Sequence, residues 1–435
     1  MTTRRVSILI ATIGILTVAT ALFWFSAVRG QDGIVTNSTD FRAFYCAGRA
    51  LTLGGNPYRV EPVTTCLRET MAQQGLVYDE RHPLFAPMPP AVIAIFAIIS
   101  QLPIRLATSL WLASSLVASL FCAWAVSRLS GIRIIWANLT VALSLGVASI
   151  MLGQIVPIAL AGLLTMAIAT RAARYNLATL GATVACTEPH LALPAILALL
   201  ILVPNSRPAL ARLAVMIAGA SLLIRPDLLI EYLTSVVPAH AFSEVVNFGE
   251  QYGLPPLLHA YGVDERTAVR LGSLSYAVML AAGISLAARL RTIDVSFVVT
   301  TPITAVLLGG PFLHIHQIAA AIPFAAMIVG RSTLPNARAP FAILALTLLA
   351  IPWQTVAESP TFADSVPHRT IAQPLPLPST SPNEPIEIPY KAFIDEYAPR
   401  VEGRTREQIL AWKTPTWFGL ILTLLLGISI RKTKA

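Results

Sequence analysis

The sequence is poor in charge. Only 12% of its 435 residues are Asp, Glu, Lys or Arg, where a soluble domain carries about 25%. A water-exposed surface of this size cannot be built from so few charges, so a soluble globular protein is excluded. Four cysteines are too few for a disulfide framework. No H-x-x-x-H with a nearby ligand and no Asp-x-Asp pair occurs, so neither a metal site nor a metal cofactor is expected. There is no tandem repeat and no separate soluble domain. Basic residues exceed acidic ones, for a net charge of +9. Much of that excess sits in short loops beside apolar segments, where Lys and Arg set membrane orientation, so it does not point to nucleic acid.

What is abundant is apolar sequence: 55% of the chain is hydrophobic, in long runs that recur to the C-terminus. Helices satisfy their own backbone hydrogen bonds in lipid, so the fold expected is an all-α integral membrane protein. Val6–Val28 follows Arg4 and Arg5 and has no clear cleavage site, which reads as a retained helix with a cytoplasmic N-terminus. Further apolar segments are 87–102, 106–126, 134–152, 155–170, 177–203, 209–224, 273–288, 293–309, 318–329, 341–356 and 417–430. With Arg431, Lys432 and Lys434 holding the C-terminus inside, even parity gives about twelve crossings.

Between residues 87 and 203 two topologies compete. One crossing per segment leaves Arg128, Arg133, Arg171 and Arg174 outside. Splitting 177–203 at Glu188-Pro189-His190 and demoting one earlier segment to a partial span puts them inside.

Three outer stretches follow from this reading: 29–85, 225–271 and 358–414. In the first, the stretch Thr39–Tyr58 opens with helical spacing, with Phe41, Phe44, Tyr45, Gly48 and Leu51 on one face and Arg42 and Arg49 on another. Gly54-Gly55-Asn56-Pro57 ends it. A short amphipathic helix lying on the membrane surface is predicted. Asp40, at its start, suits a first-turn acid that complements the helix dipole. Glu61–Gln74 reads as a second surface helix. Cys46 and Cys66 fall in the same loop, where an oxidising compartment permits a disulfide.

Glu188 and His190 lie within an apolar run, a costly position that marks either function or a mutually satisfied pair. His314 and His316 stand at a loop-to-helix junction, about 200° apart if both are helical, so one would face a cavity and the other pack. The last outer stretch has eight prolines between Pro360 and Pro389, which favour extended chain, followed by a helix expected over Ala392–Trp412.

An acid just after the first membrane helix, an aromatic-rich helix, and Ala47-Gly48-Arg49-Ala50-Leu51 leading to Gly54-Gly55-Asn56-Pro57-Tyr58 resemble glycosyltransferase family 87. Gly153-Gln154-Ile155-Val156-Pro157, Glu188-Pro189 and His314–Pro323 extend the resemblance. Met88, Val156 and Glu188 depart from it, standing where an aromatic, Asn and Lys are usual.

The resemblance implies a GT-C-like helical bundle and an inverting transfer of a hexose, mannose in that family, from a polyprenyl-phosphate donor to a lipid or glycan acceptor of the cell envelope. It implies no cofactor, a bacterial plasma membrane location and an active site on the extracytoplasmic face. Asp40 would be the catalytic base. His314, His316, His190, Glu188, Arg49, Gln154 and Tyr58 would contact donor phosphate or substrate, with Asn247, Gln251 and His259 further acceptor-side candidates. Broken helices carrying polar residues also mark transport sites, so a lipid or sugar transporter or flippase is the competing class. A scaffold of envelope assembly is a third.

Overall fold

The structure is a computed structural model describing residues 38–78, 84–146, 148–330, 338–354, 381–401 and 406–430. The expected first membrane helix Val6–Val28, most of the proline-rich stretch and the basic C-terminal residues lie outside these. Among the described residues there is no strand, only isolated bridges between Arg59 and Pro385 and between Gln251 and His314.

Helices α1 (Thr39–Thr52) and α2 (Val60–Ala72) fold against each other, and α3 (Pro90–Ile99) crosses α1. A Cβ at Gly48 would lie 2.3 Å from the Phe96 carbonyl carbon, so only glycine permits this crossing. Cys46 and Cys66 are joined by a disulfide across α1 and α2, their Cα atoms 5.5 Å apart. The expectation that α1 lies on a membrane surface fails. Its residues Phe41–Gly48 are all buried, Arg42 included. Phe41 stacks on Trp111 at 5.4 Å and Phe44 meets Phe96 at 5.2 Å. Arg42 donates to Gln74 Oε1 at 2.7 Å. The helix is the core of a cap, because α2, α3 and the residues before α4 enclose it on several sides.

From the cap, α4 (Ile104–Ser130) runs to the opposite end of the bundle. The chain returns through α5 (Ile134–Gly146) and α6 (Ala148–Leu152), then alternates through α7 (Val156–Arg171), α8 (Tyr175–Ala185), α9 (Pro189–Leu202) and α10 (Arg207–Ile224). At the cap end lie α11 (Pro226–Glu231), a π-helical turn, α12 (Val237–Val245) and α13 (Leu254–Ala260). Helices α14 (Glu265–Leu290), α15 (Phe297–Val306), α16 (Ile322–Gly330) and α17 (Ala339–Ala350) alternate again. Then α18 (Glu387–Val401) covers the cap and α19 (Arg406–Ser429) closes the bundle. Within the stretch 225–271, α14 begins where Asp264 caps it by accepting from the Thr267 amide at 3.0 Å.

Among the described residues four helices are long and apolar enough to cross a bilayer: Ile104–Ser130, the run Pro204–Ile224, Glu265–Leu290 and Arg406–Ser429. The remaining apolar helices have 10–17 residues. At 1.5 Å per residue, α3 is about 15 Å long against a hydrocarbon thickness of about 30 Å. Both its flanks stay at the cap: Tyr58 Oη donates to Met88 O at 2.7 Å, and Tyr45 Oη to Leu102 O at 2.8 Å. Residues 90–99 therefore form a short helix whose two flanks are both bonded at the cap.

The arginines fix the other end. Arg171 Nε pairs with Asp294 at 3.2 Å, while its Nη1 reaches the Arg128 carbonyl at 3.4 Å. Arg291 donates to Leu202 O at 2.5 Å and Arg338 to Ser429 O at 3.1 Å. Arg128, Arg171 and Arg174 thus share one end with Arg207, Arg289 and Arg291. Residues 177–203 are broken at Glu188, between α8 and α9.

Candidate functional site

Asp40 stands at the start of α1, and the turn between α6 and α7 supplies its partner. Gly153 has φ +72°, and a Cβ there would lie 2.6 Å from Phe41 Cβ. Glycine alone lets this turn press against α1. Trp111 Nε1 holds the turn by donating to Gly153 O at 2.8 Å. Gln154 is thereby aimed at α1, and its side-chain amide donates to the Asp40 carboxylate. Burial pushes the Asp40 carboxyl up to about 6, while the His314 charge and the bonds from Gln154 and Thr39 pull the other way. The residue is partly accessible, so the surrounding protein rather than full enclosure strips its water.

A second wall is the break between α8 and α9. Pro189 starts a new helix, and Glu188 precedes it in a non-helical conformation. Glu188 Oε2 lies 3.4 Å from His190 Nδ1, the pairing the spacing allowed. The His190 ring packs on Phe312 at 5.3 Å, and Tyr276 Oη donates to the His190 carbonyl at 3.2 Å.

The third wall centres on Glu244, fully buried in α12. Tyr390 Oη from α18 donates to its Oε1 at 2.7 Å. Gln251 Nε2 and Asn247 Nδ2 donate to its Oε2 at 2.6 and 3.1 Å. His240 and His314 each stand 3.9 Å away, on different oxygens. Burial alone would raise the Glu244 carboxyl, but His314, His240 and these donors hold it below the usual range. Burial lowers His240. Gln251 also lies 2.8 Å from His314 Nε2, and its Oε1 accepts the Leu313 amide at 2.6 Å. It therefore ties the Glu244 segment to the His314 segment.

His314 and His316 do not diverge as helical neighbours would. Residue 314 is extended and a 3-10 turn follows, so the two rings stack at 5.2 Å and 9°. His316 is buried behind His314. The correction comes from backbone geometry, since the 100° step between residues applies only inside an α-helix.

Asp40, Gln154, Glu188, His190, His314 and His316 are brought together with Asn247 and Gln251. Three candidates are not. Arg49 is nine residues along α1 from Asp40, about 13 Å, and pairs with Glu69 of α2 at 3.2 Å. Tyr58 is fully buried in the cap, stacked on Tyr232. His259 closes the end of α13, its Nδ1 3.0 Å from Val263 O.

Sequence reasoning missed Glu244, His240, Tyr390 and Lys413 as site-building residues. Lys413 is fully buried near the start of α19, donating to the carbonyls of Phe248 and Gln251. Trp417, one turn on, donates to Tyr252 O at 3.0 Å. The available signal was a lysine four residues before a tryptophan at the head of an apolar run, a pair that falls on one helix face. Among the described residues no three His, Cys, Asp or Glu side chains group in a way that would hold a metal ion.

Comparison with protein-family models, with curated proteins and with solved structures gives no match.

Proposed function

We propose that this chain is a membrane hexosyltransferase of the polyprenyl-phosphate-dependent, GT-C-like kind, with about twelve crossings and its site on the extracytoplasmic face of a plasma membrane. The observation that carries the proposal is the Asp40 carboxylate. It is raised to about 6, bonded to Gln154, and within electrostatic reach of His314. A general base works best when its pKa lies near the working pH, and a buried carboxylate at about 6 meets that condition. Its clustering with Glu188, His190, Glu244 and His314 at the end opposite Arg128, Arg171, Arg174, Arg207, Arg289 and Arg291 is consistent with an outer location, since those arginines sit in or beside short loops between apolar helices.

In this mechanism Asp40 takes the proton of an acceptor hydroxyl as that oxygen attacks the anomeric carbon of the donor. The new glycosidic bond forms as the bond from that carbon to the phosphate oxygen breaks, and the phosphate leaves with the electron pair. The anomeric centre inverts. His314, with His190 nearby, would stabilise the charge that develops on the phosphate. A water-poor site strengthens such contacts.

The test is transfer of radiolabelled mannose from polyprenyl-phosphate-mannose to a membrane lipid extract by purified wild type and Asp40→Asn. Transfer by wild type with a loss of ~10²-fold or more in the variant is expected. Transfer that survives in Asp40→Asn would move the base elsewhere. No transfer by wild type, together with tracer flux in proteoliposomes, would replace the enzyme by a transporter.

A further inference from the structure

At the arginine-rich end, a cavity of about 510 Å³ opens between the α7–α8 turn and the start of α10. Arg174, Tyr175, Asn176, Asn205 and Arg212 line it. Arg212 donates to Asn176 Oδ1 at 2.8 Å, which fixes one edge of its guanidinium in the cavity wall. The Arg174 side chain is exposed and makes no hydrogen bond or ion pair with the described residues. Among the described residues Asp294 is the carboxylate at this end, and Arg171 already pairs with it. The cavity's positive charge is therefore uncompensated.

What lies above the cavity is apolar and exposed. Leu177 and Leu180 continue along α8, the latter 58% exposed. Val215 and Met216 follow Arg212 by three and four residues, so they share its face of α10, and Val215 is 73% exposed. Two guanidinium groups at the mouth and an apolar strip rising from it match an amphiphile with an anionic head. A free anion has no acyl chains to cover the strip, and a zwitterionic lipid brings no net negative charge to offset the two guanidinium groups. Arginine suits a phosphodiester because its planar fork donates in pairs, and basic pockets between membrane helices bind acidic head groups for this reason.

We propose that this cavity is a binding site for one acidic phospholipid, its head-group phosphate held by Arg174 and Arg212 and its acyl chains lying along Leu177, Leu180, Val215 and Met216. The proposal is independent of the chemistry at Asp40.

Native mass spectrometry of the purified full chain tests it, with phosphatidylglycerol or phosphatidylcholine added to the detergent micelles. Wild type retains phosphatidylglycerol in preference to phosphatidylcholine. Arg174→Gln and Arg212→Gln each weaken phosphatidylglycerol retention roughly fivefold, the scale of one surface arginine against an acidic lipid, and leave phosphatidylcholine unchanged. Arg105→Gln, which removes a charge at the cap, has no effect. Arg174→Gln breaks no bond among the described residues, so it serves even if Arg212→Gln fails to fold. Equal retention of the two lipids, undiminished phosphatidylglycerol in Arg174→Gln, or displacement by inorganic phosphate at matching concentration would each overturn the proposal.

Discussion

Gln154 donates its side-chain amide to the Asp40 carboxylate across 114 positions of sequence. The bond joins the first turn of α1 to the turn before α7, and each side depends on a glycine contact or aromatic stack that holds it there. Asp40 keeps a raised pKa despite this bond, because burial outweighs it.

That balance has a consequence for stability. A carboxyl whose folded pKa exceeds its unfolded value leaves the fold unpenalised below about 3.8. The fold then loses stability as pH rises toward about 6. Asp40→Asn is expected to raise the melting temperature at pH 7, by a difference of about 3 kcal/mol at most, and to change nothing near pH 3.5. Thermal unfolding in detergent at the two pH values checks this. Transfer by wild type should rise with pH through about 6, since the base acts ionised.

Gly153→Ala is expected to disturb the same bond without touching either partner. The added Cβ meets Phe41 at 2.6 Å, and the positive φ is strained for alanine. Transfer should fall at least ~10-fold, a misplaced group costing that much or more, with a lower melting temperature. A variant equal to wild type in both would show that the turn can relax without moving Gln154.

Removing the Glu244 carboxylate is expected to be costly. Glu244→Ala strands the hydroxyl of Tyr390 and the amides of Gln251 and Asn247, at about 3–5 kcal/mol for a buried network of this kind. Tyr390→Phe removes one bond to the carboxylate, at about 1.5–3 kcal/mol. Hydrogen exchange should then quicken in α18 but not in α14. Uniform exchange across both helices would deny α18 its anchor on Glu244.

The Cys46–Cys66 bond closes a loop of sequence separation 20, worth about 3 kcal/mol in the chain-entropy account. Reduction, or Cys46→Ser with Cys66→Ser, should lower the melting temperature and expose α1 to proteolysis ahead of the bundle. Cleavage in the bundle first would show that the cap is held without the disulfide.

Much of the architecture was legible because lipid leaves few choices. Apolar runs must become helices, so α4 and α10 fall close to their predicted positions, whereas the helix expected over Ala392–Trp412 is replaced by α18 ending at Val401 and α19 starting at Arg406. Glu188 and His190 were legible as residues too costly to leave in an apolar run, whereas Asp40 read by spacing as a first-turn acid. Sequence alone therefore determined an all-helical membrane protein with polar residues set within its apolar runs. Tertiary structure decided the rest, because it depends on which surfaces face each other. Residues 87–102 turn back because Gly48 admits Phe96. Arg49 and Tyr58 leave the site because Glu69 and Met88 stand nearer. Glu244 looks like any loop acid until Tyr390 and His314, from distant segments, close over it. Local pattern carries no record of such meetings, since a buried carboxylate is tolerable only through partners the chain brings from elsewhere.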